Sequence, residues 1–167
     1  HAPIDKSVTP LFNTFGIQVS IGIVSDSLNY ETKITMASKE TLLKFTRSNG
    51  LLNTNHPITQ GQKASEQINN IMTYGGGGLT GKGYTNLFKL SPSAIIKKYS
   101  GSEASGTANS QALAGKYDKG KVAAFGDCNG FTAMYVMIKS TKFSAGMQVP
   151  EYDWKQFALN TLHWLSN

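Results

Sequence analysis

The chain has 167 residues and a mass of 18.0 kDa, with 40% hydrophobic and only 16% charged residues. That suits one domain spanning 1–167 around one core, and it excludes a disordered tail, a coiled coil and a highly charged solvated array. The formal net charge is +6, carried by lysines and the single Arg47, and no apolar run approaches the roughly 20 residues that a membrane-crossing helix needs.

Residues 5–15 read as a short helix with Leu11, Phe12 and Phe15 apolar; Gly16 stops it, and Pro10 moves its start inward. Residues 17–24 alternate apolar and small or polar with β-branched side chains, the pattern of a strand. Residues 37–47 have a helical tendency, ended by Ser48-Asn49-Gly50. A polar loop carries His56-Pro57, and 62–72 reads as a helix or an irregular segment. The glycine run from Gly75 to Gly83 reads as a mobile loop, followed by a strand at 86–90. Residues 100–109 read as a flexible surface loop. Strands are expected at 111–115 and 121–126 around a turn at Asp118-Lys119-Gly120, then a helix over 131–138. A last helix covers 154–165, with Trp154, Phe157, Ala158, Leu162 and Leu165 at helical spacing. There is no internal repeat. Strands interleaved with helices predict an α/β fold with a mostly parallel sheet. In it the strands 17–24, 86–90, 111–115 and 121–126 share one sheet, and the last two helices pack on it. Trp154, Phe157, Leu162 and Leu165 are expected to face that sheet.

Several segments invite a chemical reading. Gly76-x-x-x-x-Gly81-Lys82-Gly83 approaches a phosphate-binding loop, but Gly83 lacks the hydroxyl that would hold Mg²⁺, and a strand follows where a helix is required. The lysines are scattered, the densest sets being Lys97-Lys98 and Lys116/Lys119/Lys121. With one arginine for bidentate base or phosphate contacts, specific nucleic-acid recognition is not expected; an acidic polymer is a conceivable partner. A single Cys128 excludes an intrachain disulfide and a cysteine-based zinc site. His1, His56 and His163 have no metal-ligand spacing, and no metal or cofactor is expected. No N-x-[ST] sequon is present to mark the compartment, and the expected setting is extracellular or cell-envelope. The start at His1 marks a processed product, an excised piece or a trimmed chain.

The sharpest candidate is Gly126-Asp127-Cys128-Asn129-Gly130, between an expected strand and an expected helix. It has the form of a nucleophile elbow, in which glycines permit the sharp turn and the helix N-terminus activates the thiol. Cys128 is the candidate nucleophile, with Gly126, Asp127 and Asn129 beside it as binding residues. A nucleophile needs a base, and the base needs an orienting group. His56, held extended before Pro57, is the candidate cleft histidine, and no Cys-His-Glu order exists. The alternative is a tight turn that happens to carry a small residue.

Phe15-Gly16-Ile17 before Ser25-Asp26, His56-Pro57-Ile58-Thr59-Gln60-Gly61, Leu90-Ser91-Pro92-Ser93-Ala94, Gly120 to Asp127, and Asp153 to Leu165 together form an ordered set of motifs. In that order they resemble the class I glutamine-amidotransferase-like superfamily, in its branch of gliding and transport accessory domains. Similar modules occur in intraflagellar transport proteins and in the C-terminal part of site-1-type subtilases. The resemblance implies a flavodoxin-like three-layer α/β/α sandwich. It also implies a non-catalytic binding or scaffolding role inside a larger processed or secreted protein, with Asp153 among the binding residues. The chain starts after the family's first βα unit, so that unit is absent or supplied by another segment. The family's usual serine after Gly-Asp is Cys128 here, which keeps a cysteine-dependent hydrolase or transferase as the rival reading. A glycan- or polymer-binding module is the third, on the basic charge and the seven Tyr and two Trp. The expected partner is another protein or the remainder of the precursor.

Overall fold

The computed structural model describes residues 8–33, 39–97, 106–138 and 140–167. Their strands, in chain order, are β1 (Ile17–Val19), β2 (Ile23–Asp26), β3 (Lys44–Thr46), β4 (Asn70–Met72), β5 (Leu79–Gly81), β6 (Thr85–Lys89), β7 (Ala94–Lys97), β8 (Ser110–Tyr117), β9 (Gly120–Phe125), β10 (Ala133–Ile138) and β11 (Thr141–Gly146). The α-helices are α1 (Thr9–Thr14), α2 (Pro57–Gln60) and α3 (Trp154–Ser166).

Every strand pair is antiparallel. A five-stranded sheet runs β1-β5-β8-β6 with β9 also on β8, and β2-β7, β3-β4 and β10-β11 form separate two-stranded ladders. The expected parallel, flavodoxin-like α/β sandwich is therefore corrected to a mainly antiparallel β architecture with few helices. The reason lies in the connections. Parallel neighbours need a crossover of a dozen residues or more, usually a helix. Of the segments read as helical, 37–47 forms a 3-10 turn at Lys39–Thr41 and β3 over its described residues, with 37 and 38 outside them, and 131–138 forms β10. β8 and β9 are joined through Asp118 and Lys119 alone, which permits only an antiparallel pair.

The other expectations divide in a similar way. The strands expected at 86–90, 111–115 and 121–126 are present and share the main sheet. The one expected at 17–24 is broken: β1 joins that sheet, whereas β2 pairs with β7. The break falls at Gly22, whose φ is +120 and where a Cβ would meet Lys97 O at 2.5 Å. Of the helix expected at 5–15, residues 5–7 lie outside the described residues and α1 begins beside Pro10; 62–72 resolves into a 3-10 turn (Ala64–Glu66) and β4. The glycine run is not an open loop. Gly76 to Gly78 are buried, Gly77 N–H donates to Gly126 O at 2.9 Å, and β5 grows from Leu79. Of the loop expected at 100–109, residues 100–105 lie outside the described residues.

β8 is the axis of the fold, with Ser110 to Ala114 buried. Alternation sends its side chains to opposite faces. Ala112 and Ala114 join the larger core with Phe45, Phe88, Trp154 and Phe157, while Leu113 joins Ile17, Leu79 and Ala124 on the other face. The rings of Phe88 and Phe45 stack at 5.1 Å, and Phe157 lies 5.0 Å from Phe88. Burying each such side chain is worth on the order of 2 kcal/mol. α3 covers the larger core through Trp154 and Phe157 as expected, and Trp154 Nε1 donates to Met72 O at 2.7 Å. Leu162 and Leu165 do not face the sheet: they are 65% and 40% exposed, and Trp164 takes the inward position.

Candidate functional site

The turn after β9 is built around a buried carboxylate. Asp127 Oδ1 accepts from the Asn129 N–H at 2.9 Å and from Asn129 Nδ2 at 2.7 Å, and Oδ2 accepts from the Tyr74 N–H. Burial raises the Asp127 carboxyl, and the bonds from Asn129 and Tyr74 only partly offset that. Gly126 N–H donates to Gln111 O at 2.9 Å, and Gln111 Nε2 donates to Gly76 O at 3.0 Å. Gly130 must be glycine, because a Cβ there would lie inside the Trp154 indole. Gly126, Asp127 and Asn129 thus fasten β9 to the 74–78 segment.

Cys128 is exposed on this turn. Only a three-residue 3-10 turn, Asn129–Phe131, follows it, and then β10, so the helix that activates a thiol at an elbow is not formed. The sulfur lines a hollow of about 300 Å³ with Phe12, Phe15, Val122, Phe125 and Phe131. No imidazole, carboxylate or amide side chain lines that hollow among the described residues.

His56 and His163 stand elsewhere, and His1 lies outside the described residues. His56 caps α2: its Nδ1 accepts from the Ile58 N–H at 3.2 Å, and its ring meets Trp164 edge-on at 5.0 Å. Burial pushes the His56 imidazole below its ordinary value. His163 Nε2 contacts Gln62 Nε2. Asp153 Oδ2 accepts from the N–H groups of Asn69 (2.6 Å) and Asn70 (3.0 Å), tying the start of α3 to β4.

A second hollow, of about 510 Å³, lies between α2, the Ala64–Glu66 turn and α3, and Gln62, Glu66, Lys121, Gln156, His163 and Trp164 are among its walls. Its floor is fixed by Asn160, whose Nδ2 donates to Ile58 O and Glu66 O, both at 2.9 Å, and whose Oδ1 accepts from Gln156 at 2.8 Å. Lys121 Nζ donates to Trp164 O at 2.9 Å and sits 5.4 Å from the centre of its ring. The Gln62 N–H and, after it, the Lys63 ammonium hold the Glu66 carboxyl below its usual range. The sequence reading missed this hollow. Its signal was present in Gln156, Asn160 and His163, a polar stripe at helical spacing on α3 that the capping Asn167 continues.

Two further buried carboxylates serve structure. Asp26, at the end of β2, accepts from Ser93 (2.8 Å), Ser91, the Leu28 N–H and Asn29. Burial would raise this carboxyl, but those four donors outweigh it and hold it at about 2. Glu31 accepts from Tyr152 and lies 3.3 Å from Lys44 Nζ; burial opposes its ionisation, yet these partners lower it. No cluster of His, Cys, Asp and Glu able to hold a metal occurs among the described residues. No helix among them is long and apolar enough to cross a membrane. Comparison of the chain with protein-family models, curated proteins and solved structures finds no match.

Proposed function

We infer that this chain is a non-catalytic binding domain, an accessory part of a larger protein or assembly that engages a protein partner. One observation carries the reading: among the described residues the thiol and the imidazoles belong to different hollows. Cys128 lines an apolar one, whereas His163 lines the polar one and His56 touches its Trp164. A thiol enzyme needs a base within hydrogen-bond reach of the sulfur. The test is hydrolysis of p-nitrophenyl acetate and of a γ-glutamyl p-nitroanilide by wild type and Cys128→Ser. Equal, background-level rates are expected. Turnover that disappears in Cys128→Ser would overturn the reading.

The α3 hollow supports a second reading, a saccharide-binding module. Carboxamides and an indole edge are the groups that meet sugar hydroxyls and C–H faces, and here Gln62, Gln156 and Trp164 converge. Titration with a neutral hexasaccharide and with heparin, followed by indole fluorescence, tests it. Saturable quenching lost in Gln156→Ala supports a site in this hollow; a flat titration with both removes it.

A further inference from the structure

β9 ends the main sheet at an edge that no described strand covers. Its other edge pairs with β8 from Tyr117–Gly120 to Ala112–Phe125. Because Tyr117 and Gly120 close a two-residue turn, antiparallel alternation points the backbone N–H and C=O of Gly120, Val122 and Ala124 toward β8. The Gly126 N–H bonded to Gln111 O continues that set. The backbone groups of Lys121, Ala123 and Phe125 therefore point outward, and they have no backbone partner among the described residues.

Among the described residues the edge is unguarded from Val122 to Phe125, and the one charge of β9, Lys121, turns its Nζ to Trp164 O. Open edges usually carry a charge, a proline or a bulge that discourages added strands. From Val122 to Phe125 β9 reads Val-Ala-Ala-Phe, in unbroken register with β8. The 300 Å³ hollow touches all four of these residues. Successive strand residues face opposite sides of a sheet: Val122 and Ala124 belong with the Ile17–Leu113 core and Phe125 with the other, so a hollow that touches all four opens from the Ile17 face onto the edge. Phe12 and Phe15 supply its far wall. At the hairpin end stand Lys116 and Lys119, neither in an ion pair among the described residues, with Asp118 as the one carboxylate of the turn; Lys121 is engaged by Trp164.

We propose that β9 accepts an extended, apolar segment of a partner protein as an added strand, with acidic residues of that segment at the hairpin end. The proposal rests on the binding-domain reading and names its partner. Three outward N–H and three outward C=O groups call for a backbone ladder, which neither a lipid chain nor a small aromatic supplies. The apolar walls take alternate side chains, and the lysines select the acidic end.

The probes are two fluorescein-labelled octapeptides of alternating valine and threonine, one with two glutamates at its amino end and one with them at its carboxyl end. One of the two is expected to bind, which also fixes strand direction. On binding, amide exchange at Lys121, Ala123 and Phe125 should slow at least about tenfold while Val122 and Ala124 are unchanged. Ala123→Pro removes an outward N–H without touching the β8 ladder and should weaken binding at least about tenfold. Should that variant not fold, N-methylation of the peptide at alternate residues, in both phases, asks the same question: one phase must abolish binding. No binding by either peptide at millimolar concentration, binding without protection of the three amides, or equal binding by both methylated phases overturns the proposal. So does a wild-type dimer by light scattering that Ala123→Pro dissolves, since a second copy would then occupy the edge. Failure with the peptides leaves the binding-domain reading standing; Cys128-dependent turnover strikes that reading instead.

Discussion

Asp127 shows what one side chain can do for a turn. All its bonded neighbours are donors: two N–H groups of the backbone and the Asn129 amide. Asp127→Asn turns one acceptor oxygen into a donor facing other donors. A loss of about 2–3 kcal/mol is expected, read from the urea midpoint. Cys128→Ser, at an exposed site, should stay within about 0.5 kcal/mol in the same assay. The Gly-Asp-Cys-Asn-Gly run was legible as a tight turn at the end of a strand, because glycines and Asx residues carry that information locally. The task of Asp127 was not legible, because its partner N–H belongs to Tyr74, far back in the chain. Nor did the sequence reveal that a strand and not a helix follows Cys128, and the elbow reading depended on that helix.

At the scale of elements, β2 and β7 are locked by Asp26 and the serines at the start of β7. The folded-state carboxyl, at about 2, lies below the ordinary aspartate value of about 3.8. Its contribution is therefore complete above about pH 4 and lost as pH falls through about 2, a window worth on the order of 2 kcal/mol. Protection factors in Ile23–Asp26, normalised for the intrinsic slowing of amide exchange in acid, should fall on acidification from pH 5 to pH 2.5, and Asp26→Asn should flatten that dependence. α3 offers a second contrast. Phe157→Ala should cost about 3–5 kcal/mol, whereas Leu162→Ser should cost less than about 0.5, both by thermal or urea unfolding. The helix itself was legible from its 3.6-residue pattern. Its buried face was ambiguous, since Trp154, Phe157 and Trp164 define one stripe and Leu159, Leu162 and Leu165 another. The segment 131–138 was misread because a short apolar run suits a strand or a helix equally. Its pairing with Thr141–Gly146 decides the matter, and local sequence does not encode a partner.

For the whole molecule, the positions of most strands of the main sheet were readable, but their directions were not. Alternation reports that a strand has two faces; it is silent on which neighbour the strand will meet. β1 meets β5 and β2 meets β7 across long stretches of chain, and both pairs run antiparallel. The larger hollow escaped for the same reason. Its walls come from α2, β9 and α3, and only their assembly brings Gln62, Lys121 and Trp164 together.

The central position of β8 sets an order for folding. Its contact with β9 closes through two residues and costs little loop entropy, so this hairpin can form within microseconds. β6 can then dock on the far side of β8, and β5 brings β1. The β2–β7 ladder, joining Ile23 to Lys97, must enclose most of the intervening chain and should zip late. High contact order of this kind places refolding in the millisecond-to-second range. Ala114→Gly, at the centre of the hairpin, should chiefly slow refolding, whereas Val24→Ala in β2 should chiefly speed unfolding; the two arms of a stopped-flow chevron separate these outcomes. The strand at the centre of the finished main sheet would then be the one that recruits its sheet neighbours at the start.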